Sequence, residues 1–141
     1  MTDLTLNISK IVHAPIEKAF DAWLDPNMLS QFMMPMPGMP ESDVENDVRE
    51  GGAFTIIMHA GEDQLPHTGK YIEINRPDKL VFTWESHCSV DNSIVTLIFT
   101  KINENRTNID LTHVKFINEQ VRSDHEGCWS NILDQLNDVI S

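Results

Sequence analysis

Two histidines and two tryptophans stand where an imidazole or an indole can meet a small molecule. His113 ends an alternating run, Ile109, Leu111, His113, whose members point to one face of a strand. His125 lies one helical turn before Trp129 on the apolar side of a periodic segment that continues through Ile132, Leu133 and Leu136. Both imidazoles are thereby directed inward. An interior imidazole next to a cavity can trade a proton near neutral pH or hydrogen-bond a ligand, although the same pattern suits a satisfied core histidine. His113 and His125 are therefore the candidates for catalysis, and also for ligand contact. Trp84 closes the run Leu80, Phe82, Trp84, and Phe54, Ile56 and Met58 share a face on another strand. With Trp129, and with Met33 and Met36 from a methionine-rich segment, Phe54, Met58 and Trp84 suit an apolar ligand-binding lining with few polar groups, although Trp84 and Trp129 suit a filled core equally well.

Other chemistries find little support in the residue spacing. His59 and His67 flank a turn and His87 adjoins Cys88, but no His-x3-His or CxxC pair sets two ligands on one face, so neither a metal nor another cofactor is expected. Cys88 and Cys128 read as reduced thiols packed as small apolar groups. Glu73 and Glu85 lie mid-sheet, on the parity that faces away from the interior. A Ser-His-Asp order, a nucleophile elbow and a phosphate-binding glycine loop are all missing, which argues against acyl and phosphoryl transfer.

The balance of charge narrows the partners further. Ten Lys and Arg against 22 Asp and Glu give a formal net charge of −12, which repels nucleic acid and anionic membrane surfaces. Apolar runs are strand-sized and no export signal precedes one, so the expectation is a cytoplasmic protein without membrane insertion. At 141 residues, with no repeat or linker, residues 1–141 suit one domain with one core.

Alternation predicts a first strand over 5–12, and Pro15 opens a helix whose buried face is Ile16, Ala19, Phe20, Trp23 and Leu24. Asp25-Pro26 starts a second short helix carrying Met28, Leu29 and Phe32. Residues 33–40 hold four methionines among three prolines, an irregular apolar segment that suits an adaptable lid over a cavity mouth or a contact surface, although methionine also serves as an ordinary gap filler. Strands follow over 44–48, 53–59, 68–74, 80–85, 93–101 and 107–115, and a long helix runs from about Gln120. The fold class is α+β in the order β-α-α-β-β-β-β-β-β-α: about seven antiparallel strands in a curved sheet around the C-terminal helix, the only element long enough to cover it. If that helix packs tightly only through its C-terminal half, His125 and Trp129 face the same space as Trp84, Met58 and His113. Gly127 then allows close approach of helix and sheet, at a helix-propensity cost of about 1 kcal/mol.

Several pieces in this order resemble the START-like superfamily of helix-grip domains, and within it the family related to the activator of the heat-shock-protein ATPase. They are Val12-His13-Ala14-Pro15 with Ala19-Phe20-Asp21-Ala22-Trp23 and Asp25-Pro26; Gly51-Gly52-Ala53-Phe54; Gly69-Lys70-Tyr71-Ile72-Glu73-Ile74 with Leu80-Val81-Phe82-Thr83-Trp84; and Gly127-Cys128-Trp129 with Leu133 and Leu136. The chain departs from the family after the second helix, where Phe32 and the methionines replace a tryptophan or two. The resemblance implies the helix-grip fold and leaves the reaction open, since relatives carry lipids, cyclise polyketides or assist chaperones. The leading expectation is binding of a small hydrophobic or amphipathic molecule between sheet and C-terminal helix. A cyclase or dehydratase using a cavity histidine is the second, and a module acting on a chaperone ATPase the third. Exposed sheet edges also leave room for a homodimer.

Overall fold

The computed structural model describes residues 5–33, 40–60, 62–85, 93–114 and 118–140. Its elements are β1 (Thr5–Val12), α1 (Ile16–Ala22), α2 (Pro26–Phe32), β2 (Asp43–Asn46), β3 (Ala53–Ala60), β4 (Asp63–Asn75), β5 (Lys79–Thr83), β6 (Ile94–Asn103), β7 (Arg106–Val114) and α3 (Glu119–Ile140). The strands form one seven-stranded sheet in the order β1-β7-β6-β5-β4-β3-β2, and every pairing is antiparallel. Six strands thus meander in sequence while β1 joins the far edge beside β7. The α+β helix-grip arrangement expected from the sequence is the one observed.

One face of this sheet is apolar because alternation is kept from strand to strand. Phe54, Ile56 and Met58 on β3, Leu80 and Phe82 on β5 with Trp84 just beyond it, Val95, Leu97 and Phe99 on β6, and Ile109, Leu111 and His113 on β7 are each at most 4 % exposed. Against them lies α3, which buries Trp129, Ile132, Leu133, Gln135, Leu136 and Ile140 over its C-terminal half. An ion pair of Lys10 with Asp134 at 2.7 Å and a bond from the His13 amide to Asn137 Oδ1 at 2.8 Å tie α3 to the β1 end of the chain. Both short helices close the remaining side. Asp25 caps α2 by accepting from the Asn27 amide at 2.9 Å, and Pro26 occupies its first turn.

Several strand ends and one glycine differ from the sequence reading. β4 begins at Asp63 rather than near Thr68, with Pro66 paired opposite Ile57. A proline lacks the ladder donor, so the residues around it do not read as strand. β2 spans Asp43–Asn46 rather than 44–48. Gly127 is the correction that bears on packing: a Cβ built there meets nothing within 4 Å, so α3 does not approach the sheet at this point. The close approach lies at Gly69 instead, where a Cβ would sit 2.0 Å from the Thr83 carbonyl oxygen and 2.5 Å from the Phe54 ring.

Candidate functional site

Three elements deliver the chain's three tryptophans to one place. The C-terminal end of α1 supplies Trp23, the end of β5 supplies Trp84 and α3 supplies Trp129, all at most 2 % exposed. Ring centroids of Trp84 and Trp129 lie 4.9 Å apart, and those of Trp23 and Trp129 6.4 Å apart. Phe32 meets Trp23 edge-on at 5.1 Å, Phe54 lies 6.3 Å from Trp84, and His67 stacks on Trp84 at 4.8 Å. These separations are those of favourable aromatic pairs.

Next to this cluster is a small apolar cavity of about 10 Å³, lined by Trp23, Leu29, Met33, Phe54, Ile56, Tyr71, Phe82 and Trp84. That volume is roughly one water-sized sphere, and a lining so poor in polar atoms gives a water too few partners. Its walls are α2, the end of α1 and strands β3 to β5. Within them, Trp23 Nε1 is a buried donor that finds no acceptor among the described residues. Tyr71 has its hydroxyl engaged by Asn46 Nδ2 at 3.1 Å, and Asn46 also donates to the Leu24 carbonyl at 2.8 Å. Burial pushes the Tyr71 phenol up, with the Asn46 hydrogen bond acting the other way.

On the far side of Trp129 the interior is filled by a hydrogen-bonded histidine. The Trp129 indole N–H donates to His113 Nδ1 at 3.1 Å, and Ser93 Oγ lies 2.6 Å from His113 Nε2 while donating to the Val114 carbonyl at 3.1 Å. An indole can only donate, so Nδ1 must carry the lone pair and the ring proton is assigned to Nε2, which donates to Ser93. Protonating Nδ1 would oppose two N–H groups. Accordingly His113, fully buried, is held down to about 3, first by desolvation and then by the nearby His125. His125 is half-buried, with its ring 5.4 Å from that of His113 and its Nδ1 donating to the Val121 carbonyl at 2.8 Å. Proton transfer at His113 requires Trp129 or Ser93 to let go.

Of the ligand contacts expected from the sequence, Met33, Phe54 and Trp84 meet around the cavity, and Met36 lies outside the described residues. Met58, His113 and Trp129 are buried on the same side of the sheet but do not border it, and His125 lies further along α3. The space therefore opens toward α2 and not toward the first turns of α3. Tyr71 was missed because β4 carries a bulge: Tyr71 pairs with Phe82 but Glu73 with Val81, so one extra residue, Ile72, is turned out to 47 % exposure. Strict alternation through 68–74 cannot register that shift. Trp23 was legible only as a buried helix residue.

Cys128 is a free, partly buried thiol pushed up to about 11 by desolvation, which leaves it protonated and unreactive; Cys88 and His87 lie outside the described residues. Among the described residues, no three His, Cys, Asp or Glu side chains gather as a metal would require, and no helix is long and apolar enough to cross a membrane.

An antiparallel sheet gripping a C-terminal helix, with an apolar interior between them, defines a helix-grip domain of the START-like superfamily. Residues 13–141 match the model of the family described as activator of Hsp90 ATPase homolog 1-like protein, and the chain belongs to that family. Among solved structures, protein SA2116 of Staphylococcus aureus superposes with a TM-score of 0.81 at 16 % identity, covering 99 % of this chain and 94 % of that one. CalU16 of Micromonospora echinospora gives 0.75 at 22 % identity, with 99 % and 77 % covered. PFC0360w, described as an Hsp90 activator from Plasmodium falciparum, gives 0.73 at 24 % identity, with 90 % and 88 % covered. At such identities the likeness is one of fold. A search of curated proteins finds no significant match.

Proposed function

We propose that this protein binds a small, planar, apolar molecule in the cavity between α2 and strands β3 to β5. The observation that carries the reading is the lining itself: eight side chains, five of them aromatic, converge from five elements on a void they do not fill. A ligand larger than a water enters when Leu29 and Met33 give way. Met33 has three rotatable side-chain bonds and stands at the C-cap of a seven-residue helix, so it yields more cheaply than the sheet wall. Fluorene is a suitable probe, being flat, rigid and without polar atoms. At about 100-fold excess over its Kd, binding should raise Tm by roughly 5 to 10 °C. A Leu29→Phe variant, whose ring takes up the void at an overpacking cost of about 1–3 kcal/mol, should stay folded and lose that rise. An unchanged Tm together with unchanged tryptophan emission at saturating fluorene would end the proposal.

The family match supports a second reading, that the chain contacts an Hsp90-type chaperone and stimulates its ATPase. One of the similar structures is described as an activator of that kind. Purified chaperone whose ATPase rate is unaltered by a tenfold molar excess of this protein, on the order of what saturates a micromolar contact, would dismiss it.

A further inference from the structure

Trp23, which lines the cavity, leaves its hydrogen-bond donor unused, and that donor bears on which ligands the cavity can prefer. Trp23 is 2 % exposed and its Nε1 has no acceptor among the described residues, whereas the N–H of Trp129 is taken by His113. An unsatisfied buried N–H destabilises the folded protein by an amount that a correctly placed acceptor returns. No side chain lining the cavity is charged. An anion would be stripped of water and offered only neutral donors, which do not compensate its desolvation. A neutral oxygen of a ketone or amide meets no such obstacle. Since Trp23 borders the space that Leu29 and Met33 close, a flat molecule lying there can bring its acceptor to the indole edge.

Resting on the ligand-binding reading above, we infer that the cavity selects neutral aromatic carbonyl compounds, with the Trp23 indole N–H donating to the carbonyl oxygen. Trp23 is then the specificity-determining residue of the site.

The test compares fluorenone with fluorene, which differ by a carbonyl in place of a methylene, and adds fluorene carboxylate as the anionic arm. Isothermal titration of the intact chain should show fluorenone binding about 10-fold tighter than fluorene, the worth of one buried hydrogen bond, and carboxylate binding weaker than both. Trp23→Phe should hold the two neutral compounds equally. Because that variant removes a core indole, the wild-type protein gives an independent readout: in 15N-labelled protein the Trp23 Nε1–H proton resonance should move downfield with fluorenone and not with fluorene. Equal affinities for fluorenone and fluorene, or an indole resonance that ignores the carbonyl, would overturn the inference while leaving the cavity reading intact. Failure of fluorene and fluorenone alike to bind would remove both.

Discussion

At the scale of single residues, His113 shows how a titratable side chain is converted into a structural one. Unfolded, the imidazole titrates near 6.5; folded, it stays neutral down to about 3. Between these values the unfolded chain takes up a proton that the folded chain refuses. The contribution of His113 is therefore full above about pH 6.5 and is lost as pH falls toward about 3, with a slope of up to about 1.4 kcal/mol per pH unit. Tm measured from pH 7 to pH 4.5 should fall more steeply for the wild type than for His113→Phe, which has nothing to protonate there. Carboxylates titrate in both proteins and cancel in the comparison. Parallel curves would mean that burial does not hold the ring neutral as described. The inward position of His113 was legible from Ile109, Leu111 and His113 alone, but its neutrality was not, because Trp129 and Ser93 reach it from 16 and 20 residues away.

Elements rather than residues explain where the sequence reading of the site went astray. Each residue that alternation assigned inward on β3, β5, β6 and β7 is buried, since a strand of constant pleat has no freedom in which side it buries. A bulge is a local event of backbone pairing, and nothing in Tyr71-Ile72-Glu73 announces that β5 advances one residue while β4 advances two. Gly127 and Gly69 make the same point in opposite directions. Both are glycines inside regular elements, yet only one is crowded. Gly127→Ala should stabilise the protein by about 1 kcal/mol, because α3 gains a better helix former and the methyl enters open space. Gly69→Ala should cost on the order of 3 kcal/mol, because the Thr83 carbonyl and the Phe54 ring must both move. Urea midpoints of the two variants decide the matter, and a destabilised Gly127→Ala would restore a close approach of helix and sheet.

For the molecule as a whole, charge is the strongest influence outside the core. A formal charge of −12 on 141 residues opposes compaction through self-repulsion, while exposed pairs such as Lys10 with Asp134 and Arg76 with Asp21 favour it weakly. Salt screens both. The repulsion is the larger of the two, so raising NaCl from about 0.02 M to about 0.5 M should raise Tm. A fall in Tm would give the ion pairs the upper hand. The resemblance carried by Ala19 to Trp23, by Gly51 to Phe54 and by the strand pairs was sufficient to name the family; it was silent on the cavity, whose walls come from elements that no one motif spans.

The pairing of β1 with β7 has a consequence in time. Thr5 lies opposite Val114, so β1 waits for more than a hundred following residues before its neighbour exists. A chain leaving the ribosome at roughly 5–20 residues per second carries Leu6 and Val12, both wholly buried in the finished fold, uncovered for seconds. Loop closure over that separation is also the kind of contact that slows spontaneous folding toward the millisecond-to-second range. The strand made first is the one completed last, and its apolar face is what a nascent-chain chaperone would meet.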